Sequence, residues 1–240
     1  MNRRRFLVGS AFAAAAGPPV AALAIRRSSG GDAATLQASP LPVPAGGAIR
    51  TAIAIGDGFN VIDVSGPWET FQDSAVGGGS GRFELFTVSS SNEAVVGSGG
   101  LTVKPTYAFD DAPQPHVVVI PAHNASPETV EWLRDVSGGA DLLMSVCTGA
   151  FVLAETGLLD GKTATTHHGS WDDFQATFPK ITLLRGSRFV EHEHVATAGG
   201  LTSGIDLALR VVERYLGRGT ADATAEYMEY SRAVTPGVVL

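Results

Sequence analysis

The chain has 240 residues, 44% of them hydrophobic and 17% charged, which suits one compact domain with a sizeable core. Its formal charge of −7 argues against a nucleic-acid partner, and no basic stripe follows the first thirty residues. A single cysteine, Cys147, excludes an intramolecular disulfide, so the thiol is either buried and inert or retained for its reactivity.

The N-terminus, MNRRRFLVGSAFAAAAGPPVAALA, sets Arg3, Arg4 and Arg5 ahead of Phe6-Leu7 and a weakly apolar run ending in Ala22-Leu23-Ala24. This is the pattern of an export signal over residues 1–24, of the twin-arginine type. Gly17-Pro18-Pro19 breaks the run, which is too short to cross a bilayer. A retained N-terminal anchor is the alternative. Removal of the signal takes three arginines and no acids, moving the charge from −7 to −10. The expected product is an exported protein, periplasmic or extracellular, without a stable membrane span. Residues 25–48, rich in Ser, Gly, Ala and Pro, read as a disordered spacer, leaving 49–240 as one domain.

From Arg50 onward, strand-like and helix-like segments alternate. IRTAIAIG is a strand, and GPWETFQDSA a first helix with Pro67 in its first turn. RFELFTVSSS and LTVKPTYAF are strands, and VVVIP is a β-branched run suited to burial on both faces. SPETVEWLRDVSGG is a helix with Ser126 as cap and Gly138-Gly139 as stop. LLMSVC is a buried strand, TGAFVLAETGLL a helix closed by Asp160-Gly161, TATTHH a short strand, and WDDFQATF a helix ended by Pro179. ITLLRG and RFVEHEHVATAGG are strands, the second with a bend in its middle. LTSGIDLALRVVERYLG carries Ile205, Leu209, Val212 and Leu216 at helical spacing, and ADATAEYMEYS is a last helix before a loose tail. Such alternation predicts an α/β fold with a mostly parallel sheet covered on both faces, whose reactive groups collect at the carboxyl ends of the strands.

Cys147 falls at such an end, where a strand turns sharply into a helix as in a nucleophile elbow. The helix N-terminus would lower the thiol pKa, and the first-turn N–H groups of Thr148 and Gly149 could hold a developing anion. Gly149 would keep side-chain bulk off that approach. A small buried cysteine at a strand end is the competing reading, and the local pattern does not choose between them.

SVCTGAFVLAETGLLDGKTATTH, with FNVIDVSGPWETF upstream and TAGGLTSGIDLALRVVE downstream, resembles the DJ-1/PfpI superfamily of class I glutamine amidotransferase-like proteins. The resemblance spans about Arg50 to Tyr215 and is strongest to the branch of isonitrile hydratases and the amidase-like domains of AraC-type regulators. It implies a flavodoxin-like three-layer sandwich with a strand-to-helix nucleophile elbow, a homodimer, a small-molecule substrate, no metal and no cofactor. It makes Cys147 the nucleophile and Asp63 the acidic partner. As a like-charge pair the two should share one proton, with Asp63 protonated against an ionised sulfur. Asp63 as a cap of the helix near Gly66-Pro67 is the alternative.

Thr148 follows the cysteine as in the hydratases, where its hydroxyl could protonate carbon and its N–H serve the anion site. Protease-like members have a histidine at that place, so a peptidase is disfavoured. His167 matches the superfamily histidine, either as a proton shuttle or as a hydrogen-bonding neighbour of the elbow. After VVVIP the family usually has Gly-Gly, whose N–H groups face the pocket; here Ala122 and His123 stand there. The His123 side chain points either toward the cysteine or to solvent.

Other signals are weaker. EHEH puts His192 and His194 on one strand face without a third metal ligand. His167 and His168 should diverge on their strand. Asn124-Ala125-Ser126 has the form of a glycosylation acceptor but reads better as a helix cap, and Asp206 belongs to its helix's first turn. The expected function is isonitrile hydration through a Cys147 thioimidate. The rivals are glyoxalase- or deglycase-like chemistry, and an exported ligand-binding or oxidation-sensing module.

Overall fold

The computed structural model describes residues 38–78, 82–231 and 238–239. The expected export signal and most of the spacer lie outside them. Residues 38–48, expected to belong to the spacer, are instead tied to the domain. Leu41 is buried in the core, its N–H donates to the Arg214 carbonyl at 2.9 Å, and Arg214 Nε donates back to the Ser39 carbonyl at 2.9 Å. An apolar side chain with a place in the core orders the segment that carries it.

The strands are β1 (Ala48–Ala54), β2 (Arg82–Ser89), β3 (Val95–Val96), β4 (Thr102–Val103), β5 (Tyr107–Ala108) and β6 (Val117–Ile120). They continue with β7 (Leu142–Val146), β8 (Thr163–Ala164), β9 (Thr182–Leu183), β10 (Phe189–Glu191), β11 (Val195–Ala198) and β12 (Val238–Val239). The helices are α1 (Val61–Asp73), α2 (Pro127–Ser137), α3 (Gly149–Glu155), α4 (Trp171–Thr177), α5 (Ser203–Leu216) and α6 (Arg218–Tyr227). Eight strands form the central sheet in the order β12-β10-β11-β7-β6-β1-β2-β5. Every pairing in it is parallel except that of β10 with β11.

Alternation along the central strands divides the core into two. Ile49, Ile53, Val117 and Val119 face one side with Phe71 of α1, Leu207 and Val211 of α5 and Ala221 of α6. Ala52, Ala54, Val118 and Ile120 face the other with Leu133 of α2, Leu153 of α3 and Phe174 of α4. The period of two therefore builds the three-layer, flavodoxin-like sandwich that the sequence led us to expect. Among the described residues, no helix is long and apolar enough to cross a membrane.

Several elements differ in detail from expectation. The first helix starts at Val61, capped by the Asn60 side chain on the Ile62 N–H at 3.3 Å. Pro67 therefore lies inside α1, where its missing N–H leaves the Asp63 carbonyl without its helical donor. The strand expected over 101–109 is split into β4 and β5 around Pro105, which cannot donate to a ladder. EHEH forms the turn of the β10–β11 hairpin, closed by His192 N–H on the Val195 carbonyl. His192 Nε2 meets the Thr163 carbonyl and His194 Nδ1 the Asp141 carbonyl, so the two rings serve different contacts. Glu191 of the same motif is fully buried between Arg210 and Arg214, each 2.9 Å away. Ser126 holds the N-cap position of α2 without a side-chain cap bond, and Asp206 stands in the first turn of α5.

Candidate active site

β7 is buried along its length, and the chain leaves it through Cys147 at φ 58°, in the left-handed region. A residue with a β-carbon is strained there, so its neighbours must hold it. Cys147 N–H donates to the Gly199 carbonyl at 2.7 Å, and Thr166 Oγ1 donates to the Cys147 carbonyl at 2.9 Å. Gly149 lets the turn close. A β-carbon on it would lie 2.0 Å from the Ile120 carbonyl oxygen, so its smallness serves packing on β6 and not an open substrate approach. The turn is the expected elbow, with Cys147 only 7% exposed.

The first turn of α1 brings Asp63 to this thiol. Asp63 is fully buried; Oδ2 accepts the Ala122 N–H at 3.2 Å, and Oδ1 has no hydrogen-bond partner of normal geometry among the described residues. It caps nothing, because Asn60 does that. Burial pushes its carboxyl up to about 6, opposed by the Ala122 N–H and by the Cys147 thiol. The thiol is itself pushed above its ordinary value by burial and by the Asp63 charge. The N–H groups of Thr148 and Leu201 and the Thr148 hydroxyl act against that rise.

The expected lowering of the thiol pKa is thus reversed. The sulfur sits in a nearly dry turn beside a carboxylate, and α3 has only seven residues with which to oppose that penalty. The shared proton accordingly rests on sulfur at neutral pH, not on Asp63. The pair is thus a thiol beside a carboxylate.

The other expected residues divide. Thr148 stands at the sulfur and also borders an open depression of about 330 Å³, with His123, Phe151, Val152 and Ser170. The Ala122 N–H is taken by Asp63 and is not a free anion donor. The His123 ring is drawn inward, with Nδ1 at 2.8 Å from the Pro121 carbonyl and its pKa lowered by burial. A carbonyl only accepts, so Nδ1 carries the proton and buried Nε2 lacks a partner among the described residues. His167 accepts the Gly169 N–H at Nδ1 and packs on Gly200, where a β-carbon would lie 2.4 Å from its ring. It borders the turn carrying Leu201. Its ring lies 4.4 Å from that of His168, because both occupy a turn and not a strand.

Leu201 and Gly199 escaped the sequence reading. Gly199-Gly200 before a capping threonine could have signalled a tight turn, but nothing local ties that turn to a cysteine more than fifty residues earlier. Among the described residues no cluster of three or more His, Cys, Asp or Glu side chains could hold a metal.

A flavodoxin-like sandwich that lifts a cysteine from a central strand toward a buried acid from its first helix defines a class of α/β proteins. The sequence matches the DJ-1/PfpI family over residues 49–214, and the chain belongs to that family. It is 35% identical over 178 residues to the isonitrile hydratase of Pseudomonas putida, covering 72% of this chain and 74% of that one. It is 29% identical over 155 residues to the HTH-type transcriptional regulator CdhR of Pseudomonas aeruginosa, covering 62% of this chain and 46% of the regulator. A crystal structure of a THiJ/PfpI family protein from Pseudomonas syringae superposes with a TM-score of 0.68 at 27% identity, covering 80% of this chain and 78% of that one.

Proposed function

We propose that the protein is a cysteine-dependent enzyme that hydrates isonitriles to N-substituted formamides. The observation that carries this reading is the Cys147 thiol, held in a left-handed turn against the buried Asp63 carboxyl. Likeness to an isonitrile hydratase over about three quarters of both chains supports isonitriles as the substrate class.

The Asp63 carboxylate takes the thiol proton, and the sulfur attacks the terminal carbon of R–N≡C. That carbon takes a proton through the Thr148 hydroxyl, giving the thioimidate R–N=CH–S–Cys147. Water then adds across the C=N bond with one of its protons going to nitrogen, the C–S bond breaks as the other passes through Asp63 to the departing sulfur, and R–NH–CHO leaves. One water is consumed for each isonitrile, with no change of oxidation state and no external acid. In this reading the protein works as a homodimer and is exported by the twin-arginine route, with the signal at residues 1–24.

Incubation with a panel of alkyl isonitriles, following formamide, tests the proposal. Turnover by the wild type and none by Cys147→Ser supports it. Equal formamide from both proteins, or none from either, overturns it. Likeness to transcriptional regulators favours a second reading, a module that binds a small molecule without converting it. Saturable isonitrile binding without formamide would select that one.

A further inference from the structure

We propose that Arg188 is a positioning residue for Cys147, bracing the turn of residues 199–202 so that the Leu201 backbone N–H is held on the sulfur. The proposal rests on the reading of Cys147 as nucleophile. Leu201 adopts φ 54°, the left-handed region, while its apolar side chain remains 40% exposed. Strain without compensating burial implies that the turn is fixed from outside.

The fixing contacts converge on one residue. The Gly199 carbonyl accepts from the Cys147 N–H, and the Gly199 N–H donates to the Arg188 carbonyl at 2.9 Å. The Arg188 guanidinium returns to the far end of the same turn, donating to Thr202 Oγ1 at 3.3 Å. It is anchored on α5 through Asp206, with Nε at 2.6 Å from Oδ2 and Nη2 on the same oxygen. Nη2 also reaches the Tyr230 hydroxyl at 3.3 Å. Two hydrogen bonds thus join the Arg188 carbonyl to the backbone of Cys147, while the side chain clamps the residue after Leu201.

The groups acting on the sulfur are Asp63 from α1, Thr148 at the start of α3, and Leu201 in this turn. Only Thr148 and Leu201 favour its ionised form. Loosening the turn would withdraw one of these donors while leaving Asp63 and the burial in place.

Two measurements on the full chain test this without any isonitrile, so their outcome is separate from that of the hydratase assay. The first is the rate of Cys147 alkylation by iodoacetamide against pH. Arg188→Met should slow it about tenfold at a fixed pH below the thiol pKa, a shift of about one pH unit, and Arg188→Lys should recover part of the loss. The second follows the ¹⁵N–¹H signal of the Leu201 amide in the wild type, which should move through the same midpoint as the thiol. A folded Arg188→Met protein with a wild-type alkylation profile would overturn the proposal. So would a Leu201 amide that is silent across the thiol titration, and that result decides alone if Arg188→Met does not fold.

Discussion

The Asp63 carboxyl and the Cys147 thiol act on each other in opposite directions: the carboxylate charge raises the thiol pKa, while the thiol's interaction lowers that of the carboxyl. Burial raises both, and in each case it is the larger effect. One proton between two buried groups is the chemical core of the site.

That arrangement dictates an acid limb. Proton transfer from sulfur needs Asp63 ionised, so isonitrile turnover should fall as pH drops through about 6. Asp63→Asn keeps an acceptor for the Ala122 N–H but no base. It should cost about 10²–10⁴-fold in kcat and remove the limb. A pH–rate profile of both proteins checks this.

The same carboxyl links pH to stability. It titrates near 3.8 ordinarily and near 6 in the fold, so between those values the native state holds a proton that the unfolded chain has lost. Stability should therefore decline as pH rises from about 4 to 6, by roughly 3 kcal/mol, and level off above. Asp63→Asn should lack that decline and be the more stable protein at pH 7. Urea unfolding at pH 4 and pH 7 reads both effects.

Gly149 offers a purely steric test. A β-carbon 2.0 Å from the Ile120 carbonyl oxygen cannot be accommodated without moving α3 from β6, a backbone shift and not a side-chain adjustment. Gly149→Ala should destabilise the protein by roughly 2–4 kcal/mol in thermal or urea unfolding, with loss of activity.

Glu191 tests the packing of α5 on β10. Replacing it by Ala leaves Arg210 and Arg214 buried without their shared carboxylate, at a cost of about 3–5 kcal/mol. Simultaneous replacement of all three by apolar residues should restore much of that loss. Unfolding free energies of the single and triple variants decide it.

The parts of this fold legible in the sequence were those encoded locally. The continuous apolar runs VVVIP and LLMSV announced strands buried on both faces, and the strand-to-helix boundary located Cys147. Pro67 misled because a proline within a helix usually sits in the first turn, whereas here Asn60 caps a helix that begins at Val61 and carries Pro67 in its interior. The charge state of the site was not legible either. Helix position argued for an ionised sulfur, but burial of Cys147 and Asp63 together depends on how β7, α1 and the 199–202 turn pack, and it outweighs the short α3. Leu201 adopts a left-handed backbone that nothing in the leucine side chain announces.

Direct titration of the thiol tests the central claim most closely. Thiolate ultraviolet absorbance, taken as the difference from Cys147→Ser so that the tyrosines cancel and followed against pH in the wild type and in Asp63→Asn, reads the only cysteine of the chain. The sulfur should ionise above its ordinary value of 9.0 in the wild type and at lower pH once the carboxylate is gone. A wild-type thiol already ionised in mild acid, with a midpoint unmoved by the substitution, would contradict the shared-proton pair and the mechanism built on it.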